Sequence, residues 1–195
     1  MARRRKLAVL LTPGAGAGAD QAALVAVDEA LAADGITVLR MDFPYRLAGR
    51  KSPDRPPVLI QAVRDGAARL AEQAGVRPSD IVLGGRSMGG RICSMAVADG
   101  LPAAGLALVS YPLHPPGRPE KARTEHLPAL DVPCLFVSGT RDAFGTTAEL
   151  EAATKVIPGD VTHVWIDGGD HGLRRKDVAV AEAVRTWVDE CARSG

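Results

Sequence analysis

Short apolar runs alternate with helix-period segments from one end of this sequence to the other, and few architectures accept such a chain. Buried-strand patterns are predicted at residues 7–12, 36–43, 81–84, 105–110, 133–137 and 161–166. Helical patterns lie between most of them: from Asp20 as a cap to about 34, where Gly35 stops it; from Asp54 with Pro56 and Pro57 to about 73; over 88–99, ended by Gly100; over 146–157; and over 176–191. In the last of these, Val180, Val184, Trp187, Val188 and Cys191 recur at three- and four-residue steps and share one face. Six strands separated by helices predict an α/β fold: a doubly wound, mostly parallel six-stranded sheet with helices on both faces. In such sheets function gathers at the carboxyl ends of the strands. The segment 36–43 is followed by a Pro- and Arg-rich loop. The longest irregular stretch, 111–131, follows the fourth strand.

With 195 residues the chain is expected to form a single domain, 1–195, and its 46% apolar content suffices for a core. A net charge of +1 gives no electrostatic footprint for nucleic acid. The basic cluster Arg3, Arg4, Arg5 and Lys6 reads as a solvated tail, residues 1–6, ahead of the first strand. The apolar run 7–11 is too short for a signal peptide and stops at Pro13, and no stretch nears the ~20 apolar residues of a membrane helix. Cys93, Cys134 and Cys191 are widely spaced and odd in number, matching neither a disulfide framework nor a zinc site. Reduced, mostly buried thiols in a cytoplasmic protein are expected, with neither metal nor cofactor.

The segment "IVLGGRSMGGRICSMAV" carries the chemistry. Gly85-Arg86-Ser87-Met88-Gly89 is G-x-S-x-G between a buried strand and a helix, the setting of a nucleophile elbow. Small residues two before and two after Ser87 let strand and helix approach, and the hydroxyl stands above the sheet at a helix N-terminus. A helix-capping serine after a glycine-rich turn is the plainer alternative. A serine nucleophile needs a base. His163 lies within the strand "VTHVWI" and reads as structural, and His114 and His126 lie in the long loop. His171, in "DGGDHGL", follows the last strand on a glycine-flanked loop that reaches over the nucleophile. The acid that holds its tautomer is Asp142 in "FVSGTRDAFG", after the fifth strand. Asp131 precedes that strand, at the wrong end of the sheet. Asp167 and Asp170 are too close to His171 in sequence to orient its ring. The order Ser87, Asp142, His171 is that of an α/β-hydrolase.

On the elbow "GGRSMGGR", the acid turn "SGTRDAFG", the histidine loop "GGDHGL" and the segment "YPLHPPGRPEKARTEHLPAL", the chain resembles the α/β-hydrolase superfamily, and within it the small lidless branch near the dienelactone hydrolases. The resemblance implies a fully parallel sheet without the two strands that usually come first. It also implies a serine hydrolase acting on a small-molecule ester, thioester or lactone. It bears on the glycine ladder "TPGAGAGADQAAL" as well. In the superfamily the loop after this strand supplies one oxyanion-hole N–H, which assigns the donors here to Ala15 and Met88. Pro13 stands where a histidine is usual.

Two other functions compete. Gly14-Ala15-Gly16-Ala17-Gly18-Ala19 fits a loose dinucleotide fingerprint, and Arg40 before Asp42 suits a 2′-phosphate, so an NADP-binding, Rossmann-like protein would use the same loop to cradle phosphate. A non-catalytic binding or scaffold module that kept its elbow is the other. For the substrate pocket the candidates are Gly14, Arg86, Tyr111, His114, Arg118 and Arg123. Arg118 or Arg123 would select an anionic substrate, unless the loop is solvated surface whose charges pair among themselves.

Overall fold

The computed structural model describes residues 5–193. Its strands are β1 (Ala8–Thr12), β2 (Thr37–Arg40), β3 (Ile81–Arg86), β4 (Gly105–Val109), β5 (Cys134–Gly139) and β6 (Val161–Ile166). Its helices are α1 (Ala22–Ala33), α2 (Pro44–Leu47), α3 (Pro56–Ala74), α4 (Met88–Ala98), α5 (Thr147–Thr154) and α6 (Asp177–Arg193). The strands form one sheet in the order β2-β1-β3-β4-β5-β6, and every pair is parallel. This is the predicted doubly wound sheet.

Strand residues alternate between the two faces with period two, and each face is apolar because each is covered. Leu10, Leu83, Leu108 and Phe136 point into a cluster with Leu59, Val63 and Leu70 of α3, Ile92 and Ala96 of α4 and Leu150 of α5. Val9, Val82, Val109 and Val137 point the other way, onto Leu24, Val27 and Leu31 of α1 and Val180, Val184, Trp187 and Val188 of α6. The α6 stripe predicted from sequence is that second face, with Cys191 at its half-buried margin.

β1 pairs with β2 on one side and β3 on the other. The chain leaves β1 for α1 on one face and β3 for α4 on the other. The two loops therefore diverge and leave a crevice at the carboxyl ends of β1 and β3. Thr12 pairs with Gly85 in register, so the glycine ladder and the elbow start level with one another.

Several ends differ from expectation. α1 starts after Gln21, not Asp20, and α3 after Arg55, because Asp54 is ion-paired with Arg50 at 2.8 Å. The loop after β2 contains α2, which brings Tyr45 into the core. Within 111–131, two short 3₁₀ turns form at Pro119–Lys121 and Leu127–Ala129. Cys93 and Cys134 are buried free thiols with pKa pushed up to about 12 by burial, so they stay protonated.

Arg5 is half-buried rather than solvated tail, and Lys6, though exposed, is tied to the fold by its side chain. The Arg5 guanidinium bonds Asp80 and the Ser79 carbonyl, and Lys6 Nζ donates to the Ala74 carbonyl at 2.6 Å. Arg3 and Arg4 lie outside the described residues. The buried Asp80 carboxylate accepts from both Arg77 and Arg5, and those bonds, Arg77's foremost, hold its pKa at about 2 against an ordinary 3.8. A carboxyl with a depressed folded-state pKa stabilises the fold above its unfolded pKa and loses that contribution as pH falls toward the folded value. Asp80→Asn is therefore expected to lower the urea midpoint at pH 5–7. The gap to wild type should close between pH 3.8 and about 2. A gap that persists at the acid end would rule out this linkage.

Candidate active site

Ser87 follows β3 at φ +50° and ψ −117°, a conformation that side chains other than glycine rarely adopt. The strain, of order 1–3 kcal/mol, is sustained by the packing around it. Its N–H donates to the Val109 carbonyl at 2.8 Å and its carbonyl accepts from Arg91 N–H at 3.1 Å. Its side chain makes no capping bond to α4, so the helix-cap alternative does not describe it.

The flanking glycines are required by contact. A Cβ on Gly89 would stand 2.5 Å from the Pro13 carbonyl oxygen and 2.6 Å from that of Thr12, both backbone atoms that cannot yield. Gly89→Ala should push α4 off β1, at about 1–3 kcal/mol for overpacking. That amounts to roughly 2–4 °C of Tm per kcal/mol in a chain this size. Scanning calorimetry checks it, and a variant that melts with wild type would refute the close approach.

Ser87 Oγ lies 2.9 Å from His171 Nε2. His171 Nδ1 lies 3.0 and 2.9 Å from the two oxygens of Asp142. A carboxylate only accepts, so Nδ1 carries the proton and Nε2 is left to accept from the serine. The Asp142 side chain is 1% exposed, and its Oδ1 also accepts the Phe144 N–H at 2.8 Å. Phe144 stacks on the imidazole, with centroids 3.9 Å apart and planes at 25°. Arg86 completes the frame: its guanidinium donates to the His171 carbonyl and ties the histidine loop to the elbow. Burial lowers the Arg86 pKa, opposed by the charges of Asp142, Asp170 and Asp177.

Most N–H groups of the glycine ladder are already committed. Gly14 N–H donates to Gln21 Oε1 at 3.1 Å, Gly16 N–H to the Tyr45 hydroxyl at 3.1 Å, Ala17 N–H to the Gly14 carbonyl and Ala19 N–H to Asp42 Oδ1 at 2.8 Å. Arg40 is paired with Asp28 at 2.7 Å and bonded to the Ala19 carbonyl. A phosphate would find neither a row of open N–H groups nor a free arginine, which removes the support for the dinucleotide reading. Among the described residues, the N–H groups of Ala15 and Met88 have no acceptor.

A cavity of about 410 Å³ opens beside Ser87, lined by Gly14, Ala15, Gln21, Arg86, Met88, Arg91, Pro112, Arg123, Phe144 and His171. Of the six candidate pocket residues, Gly14, Arg86 and Arg123 line it; Tyr111, His114 and Arg118 do not. Tyr111 is buried edge-on against Phe136 and spends its hydroxyl on the Arg123 carbonyl at 2.7 Å. His114 is buried between the Pro115 carbonyl, at 2.9 Å, and Glu149. Arg118 is exposed, because the turn from Pro115 carries it away from the rim. His163 is structural as expected, stacked between Phe136 and Trp165 and bonded to Thr154 at 3.0 Å. His126 faces Ser94 at 2.8 Å, with its pKa lowered to about 4 by burial. Arg91, Gln21 and Phe144 were not anticipated. Only Arg91, one turn beyond the nucleophile on its own helix, carries a signal that could have found it.

No helix among the described residues is long and apolar enough to cross a membrane. Solved structures share the fold at low identity. The chain is similar to Est1E from Butyrivibrio proteoclasticus (18% identity, TM-score 0.74, covering 96% of this chain and 89% of that one). It is similar to a dienelactone hydrolase from Anabaena variabilis (19%, 0.75, 94% and 85%). DcsB, solved in complex with its substrate analogue, superposes at a TM-score of 0.77 with 17% identity over 98% and 92% of the two chains. The alpha/beta hydrolase domain family matches residues 5–193, all of those the structure describes, and the chain belongs to that family.

Proposed function

We propose that the chain is a serine hydrolase that cleaves a small ester, thioester or lactone through Ser87, His171 and Asp142. The observation that carries this reading is the continuous hydrogen-bond line from Ser87 Oγ through the imidazole to a buried carboxylate. Ser87 Oγ attacks the carbonyl carbon while His171 Nε2 takes its proton. The N–H groups of Ala15 and Met88 receive the oxyanion. His171 then protonates the leaving group, leaving an acyl-enzyme. Water, deprotonated by the same nitrogen, attacks that ester; the bond to Ser87 Oγ breaks, the acid leaves, and the imidazolium returns its proton to Ser87 Oγ. Asp142 holds the tautomer throughout and stabilises the imidazolium. The cavity is at the small end of the range for ligand sites, in keeping with a small substrate.

A fluorophosphonate probe tests the nucleophile directly. The peptide holding Ser87 should gain one phosphonyl group, and labelling should require neutral His171. An unlabelled Ser87 would overturn the reading and return the chain to the binding-module alternative.

A further inference from the structure

Three guanidinium groups border the cavity beside Ser87, and one is already engaged: Arg86 holds the His171 carbonyl. Arg91 leaves α4 one turn beyond Ser87, and its Nε is buried with no acceptor. Arg123 is fixed in place. Its N–H donates to the Leu113 carbonyl at 2.8 Å, its Nη1 to the Pro112 carbonyl at 3.1 Å, and its own carbonyl takes the Tyr111 hydroxyl. Among the described residues neither Arg91 nor Arg123 is ion-paired. Glu125, the acidic side chain nearest in sequence to Arg123, is exposed. The two cations repel. Burial first, and the charge of Arg91 next, lower the pKa of Arg123, which stays protonated at neutral pH all the same.

Two half-buried like charges without a counter-ion are unfavourable in the free protein, and an anion between them relieves that repulsion. Guanidinium forks match a carboxylate because each can make two parallel hydrogen bonds to it. Resting on the serine-hydrolase reading above, we propose that Arg91 and Arg123 form a carboxylate subsite, and that the substrate's acyl group carries a carboxylate. Arg91 starts from the helical turn that presents the nucleophile, and both arginines line the cavity that holds Ser87, so an acyl chain bonded to Ser87 Oγ shares one cavity with the pair. The same subsite disfavours neutral acyl groups, which leave both cations unrelieved.

The test compares mono-p-nitrophenyl succinate with p-nitrophenyl butyrate, which share a leaving group and differ at the acyl terminus. Wild type should favour the succinate. The ratio of the two kcat/KM values should fall about 10- to 100-fold in Arg91→Met and in Arg123→Met, as expected for a lost charged hydrogen bond. Arg91→Lys should recover part of it. Arg118→Met, on the exposed turn outside the cavity, should leave the ratio unchanged. A wild type without preference, or a ratio in Arg91→Met and Arg123→Met that matches wild type, overturns the subsite. If wild type hydrolyses neither ester, the hydrolase reading fails by itself, and calorimetry with monomethyl succinate decides the subsite. Binding that both methionine variants abolish upholds it. No binding, or binding they leave intact, overturns it.

Discussion

Ser87→Ala is expected to abolish turnover of p-nitrophenyl acetate, lowering kcat by about 10⁴- to 10⁶-fold, while the chain stays folded. Loss of one member of a nucleophile–base pair costs about as much as loss of the whole set, because the groups act as a unit. The fold should survive: among the described residues the Ser87 hydroxyl bonds only His171 and makes no helix cap, so alanine deletes one half-buried polar contact. The left-handed backbone at Ser87 remains strained with alanine as it is with serine, so that cost is common to both proteins. The measurements are initial rates with active-site titration and, alongside, the melting curve. A folded Ser87→Ala enzyme within tenfold of wild type would sink the mechanism, since oxyanion stabilisation and binding by themselves retain only a small residue of the rate.

The residues of this line were legible in the sequence for a topological reason. A parallel sheet delivers each residue that follows a strand to the same edge, so Ser87 after β3, Asp142 after β5 and His171 after β6 converge although 84 residues separate the serine from the histidine. The strand predicted at 161–166 coincides with β6 to the residue, and turn-forming Pro158, Gly159 and Asp160 before it and Asp167 and Gly168 after it bound the run. Helix starts were harder. Asp20 and Asp54 have the chemistry of a cap, but neither precedes a helix directly: Asp54 pairs with Arg50, four residues before it, and the residue ahead of α1 is Gln21, whose side chain accepts from the Gly14 N–H. Thr146, which does cap α5, has Glu149 to complete a reciprocal box, and there local chemistry suffices.

Side-chain direction in the segment 111–131 was not legible, because it depends on how the chain folds back. The Arg123 N–H bonds the Leu113 carbonyl, and that return drives Tyr111 and Leu113 inward and turns Arg123 to the cavity. Arg118, two residues after a turn built on Pro115 and Pro116, is carried out to solvent. Composition treats Arg118 and Arg123 alike, and only the return contact separates them. Arg91 was hidden for a different reason: an arginine in a helix is ordinarily a solvated side chain, and its place one turn beyond the nucleophile is the single local sign that it faces the cavity.

Asp142→Asn is expected to lower kcat by about 10⁴-fold, nearly as far as loss of the nucleophile, without a change of shape. The argument is one of donors and acceptors. In the wild type, Asp142 accepts twice, from His171 Nδ1–H and from the Phe144 N–H at Oδ1. An asparagine has one oxygen and one NH₂. The Phe144 N–H can only donate, so it claims the oxygen and leaves the NH₂ facing His171. Nδ1 must then become the acceptor, its proton moves to Nε2, and the nitrogen 2.9 Å from Ser87 Oγ can no longer take the serine proton. The buried site gives the amide no water to turn toward, with the side chain 1% exposed. Stability should hold or rise, since a neutral amide replaces a buried charge while both hydrogen bonds persist in altered sense. The two readouts therefore separate: kcat collapses while Tm does not. Fluorophosphonate labelling of Ser87 should slow in proportion to kcat, because it draws on the same proton transfer. An Asp142→Asn enzyme with near-normal kcat would show that the imidazole keeps its tautomer without the carboxylate, and Asp142 would then be a turn residue of the β5 loop and nothing more.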